Sequence, residues 1–251
     1  MFYSQFGEDK ILFEIFKRKT LGVCVEVGAN NGVDDSTSLF FEEIGWKCIL
    51  IEPNPVLCEM IRGARKASLY ECAVSDRHGV ATLYIAEGAE RAHGVSMIYE
   101  VNAEEEARNK IKSYGFTCRP VQVDTRTLDE ILVEQNLSCG IDFVSIDVEG
   151  HELKVLRGFS IERWTPIIII VEDNSNFEDA SISNYLKKFG YVRFLRTGVN
   201  DWYAHRTNKR VVNIRSKTRI MWMARKIKVK NRLRKIPLIL KFRNFFRKQG
   251  V

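Results

Sequence analysis

The sequence predicts an α/β fold: a mostly parallel sheet with helices on both faces and an antiparallel hairpin at its C-terminal side. Short β-compatible runs alternate with helical patterns, as in a parallel sheet built from strand–helix–strand units. Phe143 to Ile146 is a strong strand that ends on Asp147, and Ile167 to Val171 is a continuous apolar run, as a central parallel strand buried on both faces requires. Tyr191 to Arg196 and Asp201 to Arg206 read as the two arms of the hairpin.

Taken in order, Ser4 is expected to cap a helix running to about Lys19, with Ile11, Leu12, Ile15 and Phe16 on its apolar stripe. Gly22 to Gly28 reads as the first strand, because Val23, Cys24, Val25 and Val27 are β-compatible and Gly28 ends the run. A loop from Ala29 to Ser36 leads to a helix containing Leu39, Phe40, Phe41 and Ile44, closed by Gly45. Cys48 to Ile51 is the second strand, and Asn54 precedes a helix from Val56 to about Ala64. Leu69 to Val74 reads as a third strand and Ala81 to Ile85 as another, followed by a Gly-rich irregular stretch over 86–100. Glu104 to Lys112 is expected to be helical, Val121 to Thr125 short and extended, and Leu128 to Glu134 a short helix. A helix begins over His151 to Leu156, and another ends at Gly190 after Tyr185 to Phe189.

The chain has 251 residues, enough for one full α/β domain and too few for two large ones. Its net charge of +7 hides an asymmetry. From His205 to Val251 there are 17 Lys and Arg and no acid, whereas the first 204 residues carry 22 Lys and Arg against 32 Asp and Glu. A basic block on an acidic body points to an appended function. The six cysteines form no CxxC pair and read as reduced, small apolar residues. The first ten residues are polar, without a signal-peptide core, and no apolar run reaches the ~20 residues of a membrane span. A cytoplasmic protein, peripheral at most to the inner face of a membrane, is expected.

The chemistry is concentrated in Val25-Glu26-Val27-Gly28-Ala29-Asn30-Asn31-Gly32, directly after the first strand, with Glu52 at the end of the next. Glycines at a strand-to-helix turn let backbone approach a ligand, and an acid after the second strand can accept from both hydroxyls of a ribose. That layout fits a cofactor with an adenosine moiety. The third glycine of a dinucleotide fingerprint is missing, and Asp34 and Asp35 follow at once. Two acids there repel a pyrophosphate but tolerate a sulfonium with an amino-acid tail, and Glu26 likewise suits a cationic end. The expected cofactor is S-adenosyl-L-methionine; a nicotinamide cofactor and a ligand-free turn are the alternatives.

Several segments together resemble FkbM-family methyltransferases: SQFGED (4–9), VEVGANNG (25–32), IEPNP (51–55), CAVSD (72–76), TLDEIL (127–132), IDVEGHE (146–152) and IVEDN (170–174), with the hairpin around Asn200 to Tyr203. The resemblance runs from about Ser4 to Arg206. It implies a Rossmann-like class I methyltransferase fold over 1–206, with 207–251 as a basic amphipathic extension. It also implies Glu26, Gly28, Asn30 and Gly32 at the methionine end of the cofactor, Glu52 on the ribose, and Ala73, Ser75 and Asp76 near the adenine. Methylation of a hydroxyl oxygen is the usual activity it implies.

Asp147, Glu149, His151 and Glu152 fall where a strand ends and a helix begins, the edge of an open sheet that holds ligands. Asp147, Glu149 and His151 are the candidate catalytic residues, His151 because its ordinary pKa suits a general base. Each has a plainer reading: Asp147 as a helix cap, His151 as a structural or solvated histidine, Glu152 as a partner of the helix dipole. Asp147 with Asp173 and Asn174 from the next strand end could hold a hard divalent cation such as Mg through oxygen, an arrangement resembling catechol-type O-methyltransferases. The Gly88 to Ser96 loop, with Arg91, His93 and Ser96, either closes over the acceptor or is a plain connection.

In the tail, Leu238, Ile239, Phe242, Phe245 and Phe246 share one helical face after Pro237, among Lys241, Arg243, Arg247 and Lys248. Ile220, Met223 and Ile227 make a weaker stripe upstream. Residues 219–248 therefore suit an anionic membrane surface; packing on the body or a partner, and nucleic acid, are the alternatives. The expected reaction is methyl transfer to a hydroxyl, of a sugar in a surface or lipid-linked glycan or of a small molecule. An RNA ribose methyltransferase and a non-catalytic adenosylmethionine-binding protein are the rivals, and the acidic body argues against the first.

Overall fold

The computed structural model describes residues 1–17, 19–88, 96–99, 104–137 and 140–234. The N-terminal half contains α1 (Glu8–Ile15), β1 (Val23–Val27), α2 (Leu39–Glu43), β2 (Lys47–Ile51), α3 (Pro55–Ala64), β3 (Ser68–Tyr70), β4 (Ala73–Val74), β5 (Gly79–Glu87), β6 (Met97–Tyr99) and α4 (Glu104–Ser113). The remainder contains β7 (Thr117–Arg126), α5 (Leu128–Glu134), β8 (Phe143–Ile146), α6 (Glu152–Arg157), α7 (Ile161–Trp164), β9 (Ile168–Glu172), α8 (Ser181–Lys188), β10 (Tyr191–Thr197), β11 (Asn200–His205) and α9 (Ile214–Arg234).

A seven-stranded sheet in the order β10-β11-β9-β8-β1-β2-β3 forms the centre. The strands from β9 to β3 are parallel, and β11 pairs antiparallel with both β9 and β10. This is the Rossmann-like α/β arrangement with the expected C-terminal hairpin. Strand alternation sends Val25, Ile49, Val144 and Ile169 to one face, where α5, α6 and α8 cover them through Ile131, Leu156 and Leu186. Cys24, Cys48, Phe143 and Ile170 face the other side, against Leu12 of α1, Phe41 of α2 and Val212 beyond β11. Burying each large apolar side chain contributes about 1.5–3 kcal/mol. Cys24, Cys48, Cys58 and Cys72 are free and buried, serving as small apolar residues.

A second sheet, in the order β4-β7-β5-β6, stands on the segment between β3 and α5. Here the structure departs from the sequence reading. Leu69 to Val74 is not one strand: Ser68–Tyr70 joins the central sheet, while Ala73–Val74 pairs with Thr125 and Arg126. The break has no glycine or proline to announce it, because distant partners impose it. Val121 to Thr125 extends to Thr117–Arg126 and pairs with β5 along its whole length. Pro120 is tolerated inside β7 because β4 reaches only Thr125 and Arg126, leaving the Pro120 stretch at an open edge.

The first helix is also shorter than expected. Gly7, in the left-handed conformation (φ 77°), precedes it, and Ser4 sits outside the helix. From there Ser4 accepts the Asp9 N–H through Oγ (3.1 Å) and donates to Asp9 Oδ1 (2.7 Å). The helix ends at Ile15 rather than Lys19. Of the Gly88 to Ser96 loop, Arg91 and His93 lie outside the described residues, as does the tail from residue 235 with Phe242 and Phe246. No helix among the described residues is long and apolar enough to cross a membrane.

Gly158, at the end of α6, lies against the Ser75 backbone with no room for a Cβ, although its φ of −84° suits any residue. Gly158→Ala is therefore expected to destabilise the fold by overpacking, by about 1–3 kcal/mol. Calorimetry should register a Tm several degrees lower; an unchanged Tm would mean that the two segments separate freely.

Candidate active site

Strand order reverses at β1, whose neighbours β2 and β8 depart in opposite directions along the sheet. In open α/β sheets ligands bind beyond the carboxyl ends of the strands at such a point. A cleft of about 760 Å³ opens there. That is within the size range of small-molecule sites.

The floor begins with Gly28. Its N–H donates to Ile51 O (2.9 Å), its φ is 84°, and a Cβ would overlap the Asp147 carbonyl oxygen. Only glycine lets the ends of β1 and β8 lie this close. Asn30 follows in the left-handed region (φ 51°) and donates its N–H to Glu52 Oε2 (3.0 Å), while Asn54 N–H donates to Glu52 Oε1 (2.9 Å). Burial pushes the Glu52 carboxyl up to about 7, against the lowering effect of those two N–H groups. Gly32 (φ 78°) packs against Ile61 and Arg65, and its carbonyl accepts from the Arg65 guanidinium.

Glu26 is buried inside the sheet. Its carboxylate accepts from Ser36 Oγ (2.9 Å), Thr37 N–H (2.7 Å), Ser38 N–H (3.3 Å) and the Ser38 hydroxyl. It thus holds the 36–38 loop beside the cleft. The N-terminal segment closes the same side. Glu8 is buried and accepts from Thr197 Oγ1 (2.7 Å), Asn200 Nδ2 (3.1 Å) and Phe6 N–H (2.9 Å), tying α1 to the hairpin tip.

Opposite stand Asp147, Glu149 and Glu172, each offering a carboxylate oxygen within 4.8 Å of the others. Enclosure by the cleft and then Glu172, Glu149 and Glu152 raise the pKa of Asp147. Enclosure, followed by Glu172, pushes Glu149 up to about 8. Glu152 folds back to accept from Gly150 N–H (2.8 Å) and Val148 N–H (3.4 Å), so it shapes the loop after β8.

A family model described as the methyltransferase FkbM domain matches residues 26–193. The chain belongs to this FkbM methyltransferase family. Among solved structures, a methyltransferase FkbM from Methylobacillus flagellatus KT aligns at 16% identity and TM-score 0.48, covering 74% of this chain and 44% of its own. The chain therefore spans less than half the length of that relative. A precorrin-6y C5,15-methyltransferase from Geobacter metallireducens GS-15 aligns at 12% identity and TM-score 0.38, covering 78% of this chain and 84% of its own. No curated protein matches the sequence.

Within this FkbM domain, Glu26, Gly28, Asn30, Glu52, Ala73, Asp147 and Glu149 come together around one cleft. Gly32 lies just behind it. Three expected groupings do not form. Asp173, the first residue beyond β9, turns to the opposite side, where its carboxylate lies 3.5 Å from Arg196 and 3.7 Å from Arg193. Asn174 donates to Glu172 Oε1 (2.8 Å). Glu172 therefore stands with Asp147 in place of Asp173 and Asn174. Ser75, Asp76 and His151 form a cluster outside the cleft lining: Ser75 Oγ lies 3.1 Å from His151 Nε2 and 3.4 Å from Asp76 Oδ1. Burial lowers the His151 pKa, partly offset by Asp76.

Leu83 and Ile98, from the second sheet, and Ser96, just before β6, also line the cleft, as do Gln5, Glu8 and Asn200. Glu8 is visible only as part of the 4–9 segment, Ser96 belongs to the loop that the sequence singles out, and Leu83 and Ile98 carry no local signal.

Glu52 yields a pH prediction. Its folded pKa of about 7 stands above the ordinary 4.5, so its protonated form favours the fold. Its contribution is fully present below about 4.5 and is lost as pH rises through about 7, on the order of 3 kcal/mol in all. Denaturant unfolding of wild type and Glu52→Gln at pH 5 and pH 8 should show wild type losing ground to the variant at pH 8. A difference that stays constant with pH would contradict the raised pKa.

Proposed function

We propose that this FkbM-family methyltransferase uses S-adenosylmethionine to methylate a hydroxyl oxygen of a neutral, glycan-like acceptor. The observation that carries this reading is the charge of the cleft. Glu8, Glu26, Asp34, Asp35, Glu52, Asp147, Glu149 and Glu172 line it, and no Lys or Arg does among the described residues. Such a lining favours a ligand with a sulfonium and an ammonium group and disfavours a pyrophosphate. It equally disfavours an acceptor recognised through phosphate or carboxylate, which supports neutral hydroxyls.

Glu52 is the residue to accept the ribose hydroxyls, because each oxygen holds one backbone N–H and keeps a further lone pair. Gly28 and Asn30 give the methionine end a close backbone approach, and Glu26 serves it indirectly, by fixing the 36–38 loop. Ala73 and Leu83 offer an apolar wall to the adenine. When bound, S-adenosylmethionine supplies a methyl group already activated by a positively charged sulfur. The remaining task of the chain is positioning and removal of one proton. Asp147 and Glu149 face the cleft and are the groups to accept the acceptor's hydroxyl proton. His151, beside Ser75, has a positioning role. A divalent cation on Asp147, Glu149 and Glu172 is the second reading, favoured by their three converging oxygens.

The test combines binding and turnover. Glu52→Ala should weaken S-adenosylmethionine by about 1–3 kcal/mol per lost charge-assisted hydrogen bond, measured by calorimetry. Unchanged affinity in a folded variant would sink the ribose assignment. With methyl-labelled cofactor and a panel of glycans, Glu149→Gln should cut kcat while leaving cofactor affinity intact, and His151→Ala should cut kcat far less. Equal losses would return His151 to the base role. Full activity in EDTA would remove the cation reading; loss restored by Mg would establish it.

A further inference from the structure

The helix α9 turns a different face to solvent from the one its sequence pattern suggests. Ser216, Ile220, Met223, Ala224 and Ile227 recur at helical spacing and are half-buried, and the helix packs against β10. The stripe Ile220, Met223 and Ile227 thus lies on the half-buried side of the helix. A second apolar set points outward: Ile214 is 81% exposed, Met221 67%, Trp222 64% and Val229 51%. At 100° per residue these four fall within about a third of the helix circumference, with Arg225 between them and Lys217, Arg215 and Lys226 at the margins.

We propose that this outward face of α9 docks on an anionic lipid bilayer surface, Trp222 and Met221 entering the interface while the flanking cations meet the headgroups. The charge is complementary. The chain has no acid after Asp201, and Arg215, Lys217, Arg219, Arg225 and Lys226 join no ion pair among the described residues. Lys226 Nζ lies 5.1 Å from the Trp222 ring centre, a pairing of cation and indole at one height that suits the boundary between headgroups and acyl chains. An open groove lined by Lys209, Arg215 and Lys217 continues the cationic surface beside the exposed Ile214. Four large apolar side chains in water are unfavourable, and a phosphate backbone does not cover Ile214, Met221 and Val229, whereas a bilayer interface does. In sequence, residues 237–248 again mix aromatic and aliphatic residues with lysines and arginines. The inference is independent of the methyl-transfer reading, since its test does not involve activity.

The test uses the full chain with vesicles of phosphatidylcholine alone or with 30% phosphatidylglycerol, at low and high salt. Co-sedimentation is expected only with the anionic vesicles, weakening at least tenfold as salt rises. Trp46 and Trp202 are buried and Trp222 is the most exposed indole, so acrylamide quenching should fall on binding. Trp222→Phe should keep the binding and lose most of that quenching change. Met221→Asp with Trp222→Asp, at two exposed positions, should leave the melting curve unchanged and lower vesicle binding at least tenfold. Full chain left in the supernatant with anionic vesicles at low salt overturns the proposal. So does equal binding to neutral vesicles. Tight binding to single-stranded RNA that excludes vesicles, and that the double variant leaves intact, assigns the face to nucleic acid instead.

Discussion

Everything at the site depends on two backbones passing closer than a side chain permits. Gly28 at the end of β1 sits on the carbonyl of Asp147 at the end of β8, and Asp147 N–H in turn donates to Val27 O (3.0 Å). This contact sits at the point where strand order reverses, so it sets the depth of the cleft. From it follow the turn that places Asn30 over Glu52 and the loop that carries Glu149. A larger residue at position 28 would separate β1 from β8 and move both walls.

The acids around the cleft divide into two groups by what satisfies them. Glu26, Glu52 and Glu152 accept backbone N–H groups and shape loops. Asp147, Glu149 and Glu172 face one another, and enclosure in the cleft, reinforced by their mutual repulsion, raises the proton affinity of Asp147 and Glu149. The first group builds the site, and the second is left with unmet electrostatic demand for a cation or a proton. Beneath them, Arg193 and Arg196 bind Asp201 at 2.7 and 2.8 Å and stack over Phe177. Those guanidiniums neutralise Asp173 and Asp201 on the side away from the cleft. The cationic charge near β9 therefore lies behind the site.

Local sequence disclosed what depends on local physics. The glycine at the end of β1, the acid at the end of β2, the strand β8 and the continuous apolar run of β9 are each legible within ten residues. Thr127 and Glu130 form a reciprocal cap exactly where α5 was expected to start in sequence. The second sheet was not legible, because β4 exists only through a partner some fifty residues away. The exchange of Asp173 for Glu172 was missed for a subtler reason. The strand β9 runs one residue further than its apolar run, and with a period of two that single residue decides which carboxylate faces the cleft. The contact of His151 with Ser75 is not legible either, since Ser75 lies seventy-six residues earlier.

The charge asymmetry has a consequence for orientation. On the proposed anionic surface, an acidic body of net charge near −10 is repelled while the segment after His205 is attracted. Both effects decay within roughly 8–10 Å at physiological salt, so only charges close to the surface count. The favourable pose brings α9 down onto the surface. Because α9 packs on β10 rather than hanging on a free tether, attachment would orient the body as well as localise it.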